Sequence, residues 1–298
     1  MNTTANTAAA TAANVLPGAT RPSARRGLAA HKWLLMRRAT QFAILALFLA
    51  GPLAGAWIVK GNLSSSLVLD VLPLTDPYLL LQSLAAGHVP YTTALLGASI
   101  VLGFYLLTGG RVFCAWVCPV NIVTDAAAWM RTRLGIAAGR SPAPATRYWL
   151  LAGTLIGSFT TGTILWEWVN PVSMLHRGLI FGAGLAWFIV AGIFLFDTLV
   201  AARGWCGHLC PVGAFYSLLG HVALPRVSAA RRAACDNCMD CYRVCPEPQV
   251  LRPALKGAAG STPLILSPNC TNCGRCIDVC NKDVFRFTTR FDHRSECS

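Results

Sequence analysis

The sequence contains few charged residues, and acidic residues are the scarcest of them. Only 12% of its 298 residues are charged, and 12 Asp and Glu are set against 25 Lys and Arg, a net charge of +13. Hydrophobic residues make up 54% of the chain, and the mean hydropathy is +0.51. A soluble domain of this length does not need so apolar a composition. The composition excludes an ordinary soluble protein and predicts a membrane protein with a smaller appended domain.

Charge is nearly missing from four apolar stretches that are close to the length needed to cross a bilayer. They cover residues 41–59, 91–107, 148–166 and 179–202. We therefore expect residues 37–222 to form an α-helical integral membrane bundle of four transmembrane helices. Residues 1–36 are predicted to be a disordered, basic tail, since the first 20 are almost wholly Ala, Thr and Asn.

The positions of Lys and Arg predict the orientation of this bundle. Six precede the first stretch, none lies in residues 61–90, five lie between the second and third stretches, and only Arg177 lies between the third and fourth. Cytoplasmic loops of membrane proteins are enriched in Lys and Arg. Both termini should therefore face the cytoplasm. The basic residues flank apolar stretches and form no patch interleaved with aromatics, so we do not expect nucleic-acid binding.

Cysteine, by contrast, is abundant, and eight of the 13 cysteines form two runs of the same spacing near the C-terminus. Each run reads Cys-x2-Cys-x2-Cys-x3-Cys, the ligand spacing of paired [4Fe–4S] clusters. In this pattern the fourth cysteine of each run binds the other cluster. We therefore predict that residues 223–298 form an α+β ferredoxin-like domain with two clusters. The ligands of cluster 1 would be Cys235, Cys238, Cys241 and Cys280, and those of cluster 2 would be Cys270, Cys273, Cys276 and Cys245.

Zinc is the alternative metal for these runs, because zinc knuckles also use Cys-x2-Cys pairs. A zinc site needs four ligands, but it does not need three closely spaced cysteines followed by a fourth after three further residues. Iron and sulfur are therefore the better prediction. Cys297 belongs to no motif and is interpreted as a spectator thiol.

A second cysteine motif occurs twice, after the second and the fourth apolar stretches. Both copies read aromatic-Cys-x3-Cys-Pro, with Cys114 and Cys118 in the first and Cys206 and Cys210 in the second. Cysteines at i and i+4 share one face of a helical turn. The chain thus consists of two parallel repeats of span, loop, span and motif, which should bring the four cysteines together at the cytoplasmic membrane face.

The chemistry of these four cysteines has three interpretations. A four-thiolate metal site is favoured. Reversible dithiols that relay electrons and buried cysteines that only pack are the alternatives. His208, inside the second motif, is interpreted as a hydrogen-bonded structural residue.

The arrangement resembles the NapH family, the ferredoxin-type membrane quinol dehydrogenase components of periplasmic nitrate reductase systems. The resemblance is carried by the two ferredoxin runs and by sequence strings elsewhere: HKW at 31–33, RR at 37–38, and residues 61–77, 81–90, 113–119, 166–173 and 204–214. It implies a multi-pass protein of the bacterial cytoplasmic membrane that oxidises ubiquinol or menaquinol. It also implies electron delivery through a periplasmic iron–sulfur protein, NapG, or a membrane cytochrome, NapC, to the nitrate reductase NapAB.

Three ionisable residues are candidates for a quinol site. Asp197 lies within the fourth apolar stretch, where charged groups are costly and usually functional, and it could accept a quinol proton or pair with Arg203 or Arg111. Glu167 and His176 lie in the predicted outer loop and could bind a quinol headgroup, with loop solvation as the alternative.

Two other functions remain open at this point. An iron–sulfur membrane regulator or maturation factor for a respiratory reductase or oxidase would carry the same motifs with negligible electron flux. A zinc-binding membrane protein would lack visible charge-transfer absorption. The predicted cytoplasmic clusters also face away from the periplasmic acceptor that the resemblance implies, so the route of the electrons is open.

Overall fold

A computed structural model describes residues 28–136, 139, 142–182, 184–257 and 261–292. Cys297 and residues 1–27 of the predicted tail lie outside the described residues. The remainder of that tail, residues 28–36, is helical rather than disordered. A 3₁₀ turn over Leu28–His31 leads into helix α1, Lys32–Ala54. The first turn of α1 is ordered by the C-terminal domain, because the backbone N–H of Trp33 donates to Asp278 at 3.0 Å.

The segment after α1, between the first two apolar stretches, folds into a small antiparallel sheet that the sequence analysis did not predict. Its strands are β1, Val59–Gly61, β2, Ser65–Val68, and β3, Leu72–Thr75. Val59 pairs with Val68, and Ser66 pairs with Leu74. Helix α2, Pro77–Ala85, follows at once, and the Asp76 side chain caps it by accepting from the N–H of Tyr78.

The sheet packs closely against the next helix, α3, Thr92–Thr108. A Cβ atom added at Gly97 would lie 3.0 Å from the Thr75 hydroxyl and 3.1 Å from the Pro73 carbonyl oxygen. The absence of a side chain at Gly97 therefore permits β3 to lie directly against α3.

The two cysteine motifs occupy equivalent places in the helical part. Each is a one-turn π-helix, over Phe113–Val117 and over Trp205–Leu209, that follows an apolar helix. The remaining helices of this part are α4, Val120–Arg133; α5, Thr146–Thr161; α6, Pro171–Phe181; α7, Leu185–Leu195, which continues as a π-helical turn to Val200; and α8, Pro211–Leu219.

The fourth predicted span is interrupted in the structure. Residues 179–181 belong to α6, which ends at Gly182 in a left-handed conformation (φ 68°), and α7 then starts a new helix at Leu185. Glycine adopts this conformation without strain and is the usual residue after a helix end. The apolar stretch thus forms the end of one helix and the start of another.

Helix length distinguishes α1 from the others. Among the described residues, α1 alone is long and apolar enough to cross a membrane by length and composition, while the apolar helices Thr92–Thr108 and Ala186–Val200 are shorter. At 1.5 Å per residue a helix needs about 20 residues to cross a bilayer. Four full-length transmembrane helices are therefore not seen.

An aromatic core joins the two halves of the helical part. Phe113 of the first motif stacks on Tyr216 of α8, with ring centroids 4.9 Å apart. Tyr105 of α3 meets the same Tyr216 ring edge-on at 5.1 Å. Tyr78 and Trp166 belong to the same buried cluster. These rings fix the positions of the two motifs relative to α3.

The C-terminal domain has α+β structure, as predicted. Strand β4, Pro225–Ser228, pairs antiparallel with β5, Arg286–Thr289, so that Val227 lies opposite Phe287. Among the described residues, three short α-helices lie between the strands: α9, Asp240–Val244; α10, Leu251–Leu255; and α11, Arg275–Val279.

Candidate functional site

The ferredoxin cysteines line two cavities in the C-terminal domain. One cavity is lined by Cys235, Cys238, Cys241 and Cys280, and the other by Cys245, Cys270, Cys273 and Cys276. The fourth cysteine of each run thus lies with the first three of the other run. This crossed arrangement has the form expected of a two-cluster ferredoxin.

Backbone geometry repeats between the two runs and positions these cysteines. Asn237 and Asn272, each two residues after the first cysteine, have positive φ angles of 61° and 48°. Met239 and Gly274, each four residues after it, have φ angles of 64° and 71°. Such left-handed residues turn successive N–H groups toward one point, which suits a negatively charged thiolate site. A short helix follows in both runs and carries the third cysteine.

The sulfur environment is set partly by burial and partly by hydrogen bonds. Burial, reinforced by the neighbouring Cys273, raises the pKa of Cys270 to about 11. The free thiol would therefore be protonated at neutral pH, and binding iron would release its proton. The N–H of Val284 lies 3.4 Å from the sulfur of Cys280, the type of contact that tunes a cluster potential.

The structure also brings the two Cys-x3-Cys-Pro motifs together. Cys114, Cys118, Cys206 and Cys210 line a single cavity, with Phe113 and Trp205 among its other walls. All four are free thiols. Within the described part of the chain, no three His, Cys, Asp or Glu side chains form a group that could hold a single metal ion.

The motif differs from the ordinary helical turn assumed from its spacing. The N–H of Cys118 donates to Phe113 O, and the N–H of Cys210 donates to Trp205 O, both at 2.9 Å. These i to i−5 bonds make a wider π-turn, and the second cysteine then leaves it in an extended conformation. Pro211 is the first residue of α8, where a missing N–H carries no penalty, and Pro119 is the N-cap of α4.

A buried ion cluster joins the motifs to the ferredoxin domain. Glu247, two residues after Cys245, accepts from Arg111 at 2.5 Å and from Arg147 at 2.7 Å through the same oxygen, Oε1. Arg111 also donates to the backbone oxygens of Asn269, at 2.9 Å, and Cys206, at 3.2 Å. Arg111 therefore touches the second motif and the residue preceding Cys270.

The electrostatics of this cluster favour the ionised carboxylate. Burial alone would raise the pKa of Glu247, but the charges and hydrogen bonds of Arg111 and Arg147 outweigh it and hold the pKa below its ordinary value. The sequence reading missed this cluster. The only sign of this cluster in the sequence is that Arg111 and Glu247 each stand within three residues of a motif cysteine.

Direct contact also exists between the first motif and the second ferredoxin loop. The indole of Trp116 donates to the carbonyl of Asn272 at 3.1 Å. A further small cavity is lined by Cys114 and Cys206 from the motifs and by Cys273 from the ferredoxin domain. The four-cysteine cavity and the Cys245-containing cavity are thus neighbours.

The three proposed quinol residues do not share a site. Asp197 is fully buried, accepts from the N–H of Trp205 at 2.9 Å and so caps the second motif. Glu167 accepts from Asn170 at 3.0 Å. His176 is buried beside Phe48, with ring centroids 5.9 Å apart.

Comparison with known families matches both kinds of cysteine motif. A family described as "4Fe-4S binding domain" matches twice, over residues 92–137 and 183–228, and each match contains one Cys-x3-Cys-Pro motif. A family described as "4Fe-4S dicluster domain" matches residues 234–284, which contain both ferredoxin runs. The chain is therefore an iron–sulfur protein.

Named relatives cover nearly the whole chain. The ferredoxin-type protein NapH of Haemophilus influenzae is 52% identical over 90% of this chain and 93% of its own length. NapH of Escherichia coli is 50% identical over 88% and 91%. The methylamine utilization ferredoxin-type protein MauN of Paracoccus denitrificans is 58% identical over 91% and 95%. No solved structure matches the chain. With such identity over nine tenths of its length, this iron–sulfur electron-transfer protein belongs to the ferredoxin-type family of the NapH and MauN proteins.

Proposed function

We propose that this protein is a membrane quinol dehydrogenase subunit, in which electrons from ubiquinol or menaquinol reach the ferredoxin domain through the four-cysteine site. The cavity lined by Cys114, Cys206 and Cys273 is the observation that carries this proposal, because it brings cysteines of both motifs and a predicted ferredoxin ligand to the walls of one space. When bound, [4Fe–4S] clusters supply one-electron steps, which are needed to divide the two electrons of a quinol.

The chain's own residues provide the holding sites for this transfer. The two crossed cysteine sets would each hold one [4Fe–4S] cluster. Cys114, Cys118, Cys206 and Cys210 would hold a third metal centre or form two redox dithiols, and the 4Fe-4S family matches around both pairs favour the metal centre. Arg111 and Glu247 would keep the motif region and the ferredoxin domain in contact.

We place the helical part in the cytoplasmic membrane with four crossings and both termini on the cytoplasmic side. The alternation of Lys and Arg between the apolar stretches supports this orientation. Large apolar side chains are exposed on the outer faces of the helices, among them Phe42, Phe104, Phe159 and Phe188. Side chains of this kind suit contact with lipid, and shorter helices can be accommodated by local thinning of the bilayer.

The proposed acceptor follows from the NapH relatives. Electrons would pass to a NapG-type iron–sulfur protein or a NapC-type cytochrome and then to the nitrate reductase NapAB. The MauN relatives favour a second candidate, since proteins named for methylamine utilization are as similar to this chain as the NapH proteins are. Complementation separates the two: rescue of nitrate respiration in a napH deletion strain supports the first, and rescue of methylamine growth in a mauN deletion strain supports the second.

The direct test uses the purified full chain under anaerobic conditions. Oxidised protein is mixed with menaquinol and ubiquinol analogues, and cluster reduction is followed by absorbance and EPR. Rapid and repeated reduction is the expected result. Clusters that dithionite reduces but neither quinol reduces would overturn the dehydrogenase assignment in favour of a regulator or maturation factor. Zinc in place of iron would overturn both.

A further inference from the structure

An apolar cavity of about 460 Å³ lies between α1, the small sheet and α3, apart from the cysteine cavities. This volume is within the usual range for a small-molecule site. Most of its walls are aliphatic or aromatic, including Ile44, Phe48 and Val101. Leu47 and Phe104 also line it and are 41% and 56% exposed, so the cavity opens on the apolar outer surface. A ligand could therefore reach it from lipid.

The inner end of the cavity is polar. Asp76, Tyr105 and Tyr216 line it together. The Tyr216 hydroxyl donates to Oδ1 of Asp76 at 3.2 Å, and the N–H of Tyr78 donates to the same oxygen at 3.0 Å. Among the described residues, Oδ2 of Asp76 has no hydrogen-bond donor and the carboxylate has no Lys or Arg partner within salt-bridge distance. One oxygen is therefore left to accept a proton from a ligand.

Asp76 owes this position to the local fold. It is the N-cap of α2, whose first helical residue is Pro77. The positive end of a helix dipole favours a carboxylate at this point. The sheet carries the residue inward from the outer loop, and an irregular backbone within a membrane domain is characteristic of segments that line a cavity.

The cavity adjoins the four-cysteine site. Phe113 and Val117 of the first motif line it, and Phe113 is also a wall of the cavity that contains Cys114 and Cys206. Phe113, stacked on Tyr216, thus borders both spaces. A ring bound beside Asp76 would lie next to the first electron acceptor.

We propose that this cavity is the quinol site and that Asp76 is the catalytic base that removes the quinol hydroxyl proton, an assignment that rests on the proposed function. Oxidation of one quinol to quinone breaks two O–H bonds and releases two protons and two electrons. The electrons would be taken up singly by two oxidised iron–sulfur clusters held by the cysteine sets. The Asp76 carboxylate accepts the proton of the hydroxyl that faces it and releases it to water, and the hydroxyl at the opposite end of the ring loses its proton to water.

A polar track leads from the backbone of Asp76 toward the outer loop. The N–H of Asp76 donates to the carbonyl of Ser64 at 2.8 Å, and the Ser64 hydroxyl lies 3.1 Å from that of Ser173. Asn170 donates both to Ser173, at 3.1 Å, and to Glu167, at 3.0 Å. Glu167 is 26% exposed, so the track leads to solvent at the outer loop.

The test compares Asp76→Asn with Asp70→Asn in the purified full chain. Asp70 lies in the same loop but pairs with Lys60 at the surface, 59% exposed and outside the cavity, so it is a matched control. We expect Asp76→Asn to keep its iron and its dithionite-reducible clusters while quinol-dependent reduction falls by about 100-fold or more, the usual contribution of a general base. Asp70→Asn should match the wild type.

A binding measurement checks the location without relying on electron transfer. A photoreactive quinone analogue should label peptides of α1, α3 or the sheet in the wild type, and Val101→Phe, which narrows the cavity but keeps Asp76, should weaken labelling and quinol oxidation together. Wild-type rates in Asp76→Asn, or labelling confined to another part of the chain, would overturn this assignment while leaving quinol oxidation standing. Failure of the wild type itself to oxidise quinol would instead overturn the proposed function.

Discussion

At the scale of single residues, Glu247 is a carboxylate that is almost completely shielded from water. It is 3% exposed and holds two arginines that are buried even more deeply. An intact buried ion cluster is a modest source of stability, but removing one partner leaves the remaining charges uncompensated. Loss of Glu247 would therefore destabilise the protein chiefly by leaving Arg111 and Arg147 buried without a counter-charge.

Replacing Glu247 with Gln should destabilise the contact between the ferredoxin domain and the motifs. We expect a loss of about 3–5 kcal/mol, the usual penalty for breaking a buried pair. Thermal unfolding in detergent, followed by bleaching of the clusters, measures it. Asp70→Asn, which breaks an exposed ion pair, should cost less than about 1 kcal/mol. Equal midpoints for the two variants would contradict this account.

The same residue predicts a pH dependence. Because the folded-state pKa of Glu247 is lowered, its stabilisation is fully present above the unfolded value of about 4.3 and is lost as the pH falls through the folded pKa. The stability that depends on Glu247 should therefore be constant from pH 7 to about 5 and decline in stronger acid. Cluster bleaching at several pH values tests this, and in Glu247→Gln that component of the acid dependence should be absent.

At the scale of elements, the close contact between β3 and α3 positions Asp76. Gly97→Ala would place a methyl group 3.0 Å from Thr75 and 3.1 Å from Pro73, so the sheet would have to shift. Gly103, six residues later on the same helix, has no neighbour within 4 Å of an added Cβ. Gly103→Ala should be neutral or gain up to about 1 kcal/mol in stability, because Ala is the better helix former.

Quinol-dependent cluster reduction should separate these two glycine variants. Gly97→Ala should slow it, since the strand that carries Asp76 moves, whereas Gly103→Ala should leave it unchanged. Iron content and dithionite reduction should stay at wild-type levels in both. An unchanged quinol rate in Gly97→Ala would show that the contact does not fix the site.

The elements also show why the sequence revealed some features and hid others. Cysteine spacing is local, so the two ferredoxin runs and the paired motifs could be recognised, and the structure gathers each expected set of four into one cavity. Partners distant in sequence leave no such pattern, and the Glu247 cluster was therefore missed. Asp76 was overlooked because its inward position depends on the small sheet, and the pairing of such short strands leaves no clear pattern in the sequence. Asp197 was a candidate because of its apolar surroundings, and in the structure its carboxylate caps the second motif.

At the scale of the whole molecule, the cavities form a series. The apolar cavity shares Phe113 with the four-cysteine cavity, and Cys114 and Cys206 of that cavity line a further cavity with Cys273. The ferredoxin set that contains Cys273 adjoins the set that contains Cys241 through the crossed runs. The proposed direction of electron flow follows this order. It places the Cys235, Cys238, Cys241 and Cys280 set at the opposite end of this series from the apolar cavity.

Two cysteine variants test this order, because they remove different positions in the series. Cys206→Ser should keep both ferredoxin clusters reducible by dithionite but lose their reduction by quinol. Cys241→Ser should lose the more distant cluster and still allow quinol to reduce the nearer one, which Cys245, Cys270, Cys273 and Cys276 would hold. Iron analysis and EPR of each variant, before and after quinol addition, distinguish these states. Rapid quinol reduction of both clusters in Cys206→Ser would mean that electrons bypass the four-cysteine site, and the series would then run directly from the apolar cavity to the ferredoxin domain.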